Sequence, residues 1–285
     1  PVPAGSRRSL AKPGPPERIR STRARGERRE NSVSTSTLTT GLRAGRAGTD
    51  RKTAFVVGVL FIITIVASIP AVFLYDPLLT DADYVLGAGA DTRIRLGALL
   101  EIVTAVANIG TAVALYSVVR RQHEGFAISY VASRVLESTV IVVGIVSVLS
   151  VMTLQIDGAS GTESGSLVVA GQSLVALHDW TFLLGPGFCA PIGNGLILGY
   201  LMYRSGLVPR RMAQLGLVGG TLGLASATAM LLGIYDMTSV WAFIAIVPEF
   251  AWEASLGLWL AVKGFSASAR VLTAPTIGAQ PVAAD

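Results

Sequence analysis

The sequence predicts an all-α membrane protein, a six-transmembrane-helix bundle with both termini in the cytoplasm. Only 14% of its 285 residues are charged, whereas a soluble domain carries roughly 25%. Hydrophobic residues make up 51% of the chain, the mean hydropathy is +0.58, and several apolar runs are long enough to cross a bilayer. These runs lack the period-two alternation of membrane β-strands, which identifies them as helices.

The first fifty residues differ in composition from the rest. Residues 1–50 hold eleven Lys or Arg and four Asp or Glu, whereas residues 51–285 hold twelve and fourteen. Without an apolar run, residues 1–50 are expected to form a disordered basic tail, which anionic lipid head groups would attract. Alternatively, residues 1–32 are an extension upstream of the true start, because the first methionine is Met152. The acidic balance of the body predicts no nucleic-acid partner, and residues 266–285 are expected to be a disordered C-terminal tail.

Six apolar runs predict the spans. They cover about residues 54–74, 94–119, 126–154, 178–203, 212–235 and 240–262. The fourth run, residues 167–203, is longer than one crossing, since it would extend about 55 Å as a helix against about 30 Å of hydrocarbon. We therefore expect residues 167–177 to lie at the outer surface or to begin well above it. Gly185-Pro186-Gly187 and residues 191–195 should weaken the backbone hydrogen bonds of this span.

The loops between the spans carry opposite charges on alternate sides. One side holds Arg51, Lys52, Arg120, Arg121, Arg204, Arg210, Arg211, Lys263 and Arg270. The other side holds Asp76, Asp81, Asp83, Asp91, Asp157, Glu163 and Asp236. Because basic loops stay in the cytoplasm, this pattern predicts a protein of the cytoplasmic membrane with its N-terminus and C-terminus inside.

Several ionisable side chains lie inside the predicted spans, where each is costly unless it is paired. With one amide they form the candidate polar cluster of Glu101, Asn108, Arg134, Glu137, Glu249 and Glu253. Spacings of three, four and seven residues put its members on shared helix faces. Four carboxylates face one arginine, so we expect some to be protonated, or a cation or His178 to share the site, and we expect Arg134 to pair with Glu137 or Glu253.

This cluster indicates a non-enzymatic site that binds or passes a proton, a cation or a small polar molecule. Alternatively, it only holds the bundle together. His178 and Asp179, near the outer start of the fourth span, are candidates for a different function, that of a membrane-embedded enzyme acting on a lipid-like substrate. A third reading is a structural subunit of a membrane complex, with Gly216, Gly220 and Gly223 packing against a partner or a second copy.

The sequence predicts no catalytic residue with a recognisable motif, no metal ligands and no cofactor. Cys189 is the single cysteine, which excludes an internal disulfide framework. The lipid bilayer is the one partner that the composition itself predicts.

Five segments carry a family resemblance. They are RKTA at 51–54, YVASRVLES at 130–138, HDWTFLLGPG at 178–187, YLMYRSGLVPR at 200–210 and PEFAWE at 248–253. Through them, residues 51–265 resemble the bacterial multi-pass membrane protein family catalogued as domain of unknown function 4386. The resemblance implies an integral helical membrane protein, and it brings no activity, substrate or cofactor.

Overall fold

The computed structural model describes the backbone of residues 17–87, 91–158, 164–266, 269 and 272. Side chains are described in residues 48–87, 91–156, 164–266, 269 and 272. The chain divides into two units, residues 1–49 and residues 50–285. Within the described residues every regular element is a helix, and no strand is present.

The helices follow one another in a simple order. They are α1 (Glu17–Thr80), α2 (Thr92–Val119), α3 (Glu124–Gly158), α4 (Ser164–Phe182), α5 (Gly199–Ser205), α6 (Arg210–Leu231) and α7 (Val240–Val262). A short 3₁₀ turn, Tyr84–Leu86, follows α1, and two π-helical segments, Leu183–Cys189 and Pro191–Leu198, lie between α4 and α5.

Six helical stretches of the described chain are long and apolar enough to cross a membrane. They are Gly48–Thr80, Thr92–Val119, Glu124–Ile156, Ser164–Ser205, Arg210–Leu231 and Val240–Val262. Large apolar side chains cover their outer surfaces, and Val66, Phe73, Val106, Val146 and Leu258 are each more than half exposed. An outer surface of this kind suits lipid rather than water. The predicted six-helix membrane bundle is confirmed.

Helix α1 begins at Glu17, inside the segment where the sequence predicted a disordered tail. The rest of that tail, residues 1–16, lies outside the described residues, as does the predicted C-terminal tail apart from residues 266, 269 and 272. The loop charges Glu163 and Arg270 also lie outside them. Disorder of the two tails stays a prediction.

The fourth span is continuous from Ser164 to Ser205. Pro186 and Pro191 lie in its two π-helical segments, where the missing proline N–H groups favour a wider turn over the regular i to i−4 ladder. The expected weakening of the backbone hydrogen bonds therefore appears as two π-helical segments within the span. The first turns of α4 pack on the 3₁₀ turn, since a Cβ at Gly171 would lie 3.0 Å from Val85 Cβ.

The fifth span is shorter than the sequence predicted. Helix α6 ends at Leu231 rather than near residue 235. Gly233 adopts φ 70°, a left-handed conformation that ends helices and that glycine adopts without strain.

Charged and polar contacts define the two ends of the bundle. At the basic end, Arg51 Nη2 donates to Val262 O at 2.8 Å, and Arg121 pairs with Asp50 at 3.1 Å. At the acidic end, Tyr84 OH donates to Asp91 Oδ2 at 2.9 Å. Burial and this hydrogen bond raise the pKa of Tyr84 above its usual range.

Two hydrophobic clusters fill the interior, one toward each end. The cluster toward the basic end includes Val57, Phe61, Leu115, Tyr130, Leu201, Trp252 and Leu256. The cluster toward the acidic end includes Tyr75, Leu78, Ile94, Ile145, Val148 and Leu167. Along the helices, residues from Thr64 to Ala71 of α1 and from Arg134 to Ser138 of α3 fall between the two clusters. Arg134, Glu137 and Ser138 therefore lie in a buried polar layer between the two apolar clusters.

Candidate functional site

Arg134 is the centre of a buried network formed by α2 and α3. Its Nη1 donates to Glu137 Oε2 at 2.6 Å, and its Nη2 donates to Asn108 Oδ1. Asn108 Nδ2 in turn donates to Glu137 Oε1 at 3.2 Å. All three residues are at least 96% buried. The predicted pairing of Arg134 with Glu137 is confirmed, and the pair offsets the charge of both groups.

Asn194 links α3 to α7. It is fully buried in the second π-helical segment, and its Nδ2 donates to Glu253 Oε1. Tyr130 OH donates to Asn194 Oδ1 at 3.2 Å, and Trp252 Nε1 donates to Asn194 O at 3.0 Å. The amide of Asn194 thereby orients the Glu253 carboxyl toward the same layer as Arg134.

Glu249 is the buried carboxyl that the network leaves unpaired. It is 2% exposed, and neither of its oxygens makes a hydrogen bond with any described residue. The carboxyl fits between Gly195 and Gly219. A Cβ added at Gly195 would lie 2.7 Å from Glu249 Oε2, and a Cβ added at Gly219 would lie 2.8 Å from the same atom. Because both positions are glycine, the helices approach closely enough to enclose the carboxyl.

Glu249 is also close to the other charges of the layer. It lies one helical turn from Glu253 on α7 and interacts electrostatically with Glu253, Arg134 and Glu137. Arg134 is already paired with Glu137, so its charge does not balance the Glu249 and Glu253 carboxyls as well. If both were ionised, the layer would hold an uncompensated negative charge in a low-dielectric interior.

Glu101 lies in a different group. Tyr75 OH donates to Glu101 Oε2 at 3.0 Å, and the Tyr75 ring meets the His178 ring edge-on, with 5.6 Å between centroids. Glu101 and His178 line a cavity of about 10 Å³ together with Thr181, which is room for about one water molecule.

His178 is 5% exposed, and its Nδ1 makes no hydrogen bond with any described residue. The nearby Asp179 Oδ1 lies 3.7 Å from Nδ1, and the Asp179 side chain is 47% exposed. Asp179 faces a groove of about 310 Å³ that Asp81 and Tyr84 also line. Within the described residues, no group of three His, Cys, Asp or Glu could hold a metal ion.

The structure brings Asn108, Arg134 and Glu137 into direct contact, and it places Glu249 and Glu253 near enough to Arg134 to interact with it electrostatically. It places Glu101 with His178 instead. Sequence reasoning did not assign a role to Asn194 or Tyr75. Asn194 carried a usable signal, an amide inside an apolar span, whereas Tyr75 looked like an ordinary residue of the membrane interface.

The glycine stripe of α6 packs inside its own chain. A Cβ at Gly216 would lie 2.7 Å from the Trp252 ring, and one at Gly220 would lie 2.7 Å from Pro191 O. A Cβ at Gly223 would lie 2.9 Å from Pro191 Cγ. These glycines therefore set the close approach of α6 to the second π-helical segment and α7. Contact with a second copy stays a prediction.

The helices and the enclosed polar layer define a multi-pass membrane protein. The sequence profile of the family described as a domain of unknown function, DUF4386, matches residues 56–264. This match covers most of the chain, so the protein belongs to that family. No curated protein and no solved structure matches it.

Proposed function

We propose that this protein binds and passes protons at the Glu249 and Glu253 carboxyls. One observation supports the proposal above the others: the Glu249 carboxyl is enclosed at mid-bundle without a hydrogen-bond partner among the described residues. A carboxylate left in that position is costly, whereas a protonated carboxyl is far less so. Glu249 is therefore a group that takes up a proton readily and releases it when a partner moves toward it.

The packing favours a proton over a larger ligand. Gly195 and Gly219 leave no space beside Glu249 Oε2 for even one methyl group. A hydrated cation or a small polar molecule would need the helices to separate. A proton needs only a change of hydrogen bonding between Glu249, Glu253 and Asn194.

The charge of the loops supports an orientation. The basic end, with Arg120, Arg121 and Arg210, faces the cytoplasm, and the acidic end faces outside the cytoplasmic membrane. Reporter fusions after Arg121 and Arg211 are expected to report the cytoplasm, and fusions after Asp83 and Asp236 the exterior. A single reversed reporter would contradict the orientation.

The enzyme alternative has one observation in its favour, the convergence of His178 and Glu101. A base and a carboxylate in this arrangement are typical of proton abstraction. The cavity between them has room for about one water molecule rather than for the reacting group of a lipid. The size of the cavity therefore favours proton exchange at this position as well.

Flux measurements in vesicles test the proposal. The purified protein is reconstituted into liposomes with a pH-sensitive dye inside, and a potassium gradient with valinomycin supplies the driving potential. We expect proton flux from wild type and from the control Glu124→Gln, an exposed glutamate on α3. Glu249→Gln should abolish it, because an amide binds no proton at neutral pH. Flux of sodium instead of protons, or wild-type flux in Glu249→Gln, would contradict the proposal.

A further inference from the structure

We infer that Glu101, Tyr75 and His178 form a second proton-binding site, through which protons exchange between the acidic end and the Glu249 layer. The inference rests on the proposed function for its second half, the transfer toward Glu249. Its first half, a proton shared by Glu101 and His178, stands on the geometry of this group alone.

The three side chains come from three helices and meet at one cavity. Tyr75 of α1 donates to Glu101 Oε2 at 3.0 Å and also contacts the His178 ring. Glu101 and His178 line the cavity from α2 and α4 and lie near enough to interact electrostatically. The rest of the lining does not titrate and consists of Ile141, Gly144, Thr181, Phe182 and Pro186.

His178 carries a buried nitrogen without a hydrogen-bond partner. The side chain is buried, and its Nδ1 has no hydrogen-bond partner among the described residues. Asp179 lies 3.7 Å from Nδ1, which is beyond hydrogen-bond distance. A buried imidazole normally has its hydrogen-bonding groups satisfied. Because the ring also lines the cavity with Glu101, a proton or a single water in that cavity is within its reach.

The pair can exchange a proton at low cost. When the Glu101 O–H bond breaks and a His178 N–H bond forms, a neutral pair becomes an ion pair and the net charge of the site does not change. Tyr75 keeps its own proton and donates a hydrogen bond to Glu101 in both states. The cost of the ion pair in a low-dielectric interior is limited because the two charges are adjacent.

The site lies between the solvent-facing groove and the buried layer. Asp179, next to His178 in the chain, lines the groove at the acidic end. On the other side, Glu101, Thr104 and Asn108 share one face of α2, and Asn108 bonds to Glu137. Glu101 is about 10 Å along that face from Asn108, and the buried Thr104 stands between them. Polar side chains therefore follow one face of α2 from Glu101 to the Arg134 network.

Nuclear magnetic resonance of the two histidines tests the shared proton. His123 is exposed and serves as an internal reference for the ¹⁵N-labelled protein in lipid nanodiscs, with His123→Gln used for assignment. At neutral pH, Glu101→Gln is expected to change the ¹⁵N chemical shifts of the His178 ring, because it removes the group that shares the proton, and to leave the shifts of His123 unchanged. The control Glu124→Gln should leave His178 unchanged.

A second variant keeps the test decisive if Glu101→Gln does not fold. Tyr75→Phe removes one hydrogen bond to Glu101 and should change the ¹⁵N chemical shifts of the His178 ring in the same sense by a smaller amount. Unchanged His178 shifts in folded Glu101→Gln, or in Tyr75→Phe when only that variant folds, would overturn the inference.

Flux in liposomes separates this inference from the proposed function. We expect His178→Asn and Glu101→Gln to slow proton flux by at least about tenfold. If Glu249→Gln abolishes flux while both of these variants retain it, the relay is overturned and the Glu249 site stands. If Glu249→Gln retains flux, the proposed function fails, and the ¹⁵N chemical shifts of His178 still decide whether Glu101 and His178 share a proton.

Discussion

Replacing Arg134 with leucine is expected to destabilise the bundle more than any exposed basic substitution. The Arg134 and Glu137 side chains are 2% and 5% exposed and lie 2.6 Å apart. Loss of the guanidinium leaves Glu137 buried with the single hydrogen bond from Asn108. Removing one partner of a buried ion pair costs about 3–5 kcal/mol. We therefore expect the free energy of unfolding to fall by about that amount.

The assay is denaturant unfolding of the purified protein in mixed micelles, with the two-state midpoint and slope compared across variants. Arg120→Leu is the matched control, since Arg120 is exposed and lies 5.6 Å from the centroid of the Tyr116 ring. An exposed cation–π contact is worth about 0.5–1 kcal/mol, so this control should lose no more than that.

A double variant separates the lost ion pair from lost packing. Arg134→Leu combined with Glu137→Leu removes both charges, and exchange of a buried ion pair for apolar side chains is often neutral. The double variant should recover most of the stability that Arg134→Leu loses. Equal losses in Arg134→Leu and Arg120→Leu, or a double variant as unstable as the single one, would refute the reasoning.

Two further substitutions test the packing and the acidic end. Gly219→Ala places a Cβ 2.5 Å from the Glu249 backbone nitrogen and should cost about 1–3 kcal/mol of unfolding free energy through overpacking. Gly165→Ala, whose Cβ would meet nothing within 4 Å, should be neutral or stabilising. Equal losses of unfolding free energy in Gly219→Ala and Gly165→Ala would contradict this account. The pKa of Tyr84 is raised, so the folded protein holds the Tyr84 proton more tightly than the unfolded chain does. This difference stabilises the fold below the ordinary tyrosine pKa of 10.0, and the stabilisation is lost as the pH rises above 10.0. Wild type should therefore lose stability relative to Tyr84→Phe in alkaline unfolding titrations, and parallel pH profiles would show that the contact with Asp91 contributes nothing.

The number and position of the helices could be predicted from the sequence because hydropathy and length alone decide which segments can enter a bilayer. The pairing of Arg134 with Glu137 was also within reach. The two residues are three apart on one helix, so their side chains lie on one face whatever the neighbouring helices are. Local geometry fixes contacts of this kind.

Contacts between helices were out of reach for a physical reason. The sequence shows which face of α2 is polar, but not which helix covers each part of that face. Glu101 and Asn108 share a face, and yet Glu101 meets Tyr75 of α1 and a cavity lined by α3 and α4, whereas Asn108 meets Thr64 of α1 and Glu137 of α3. Asn194 could not be oriented either, since the π-helical segment around it changes the angular spacing that α-helical periodicity assumes.

The enclosure of Glu249 could not be predicted either, because the sequence does not show which helices pack against each other. Gly195 and Gly219 lie on different helical segments, and each is an ordinary small residue when viewed alone. Only the fold shows that both glycines lie against the Glu249 carboxyl and together enclose it. A pattern of small residues in a single helix predicts close packing, but not what is packed between the helices.

Infrared difference spectroscopy tests the central claim, a protonated carboxyl at Glu249, most directly. Protonated carboxylic acids have a carbonyl stretch that carboxylates lack, and the exposed Glu124 provides the control position. At neutral pH in lipid, the spectrum of wild type should contain such a band that is missing from Glu249→Gln and retained in Glu124→Gln. If wild type and Glu249→Gln have the same carboxylic acid band, or if wild type has none, Glu249 does not hold the proton and the account is contradicted.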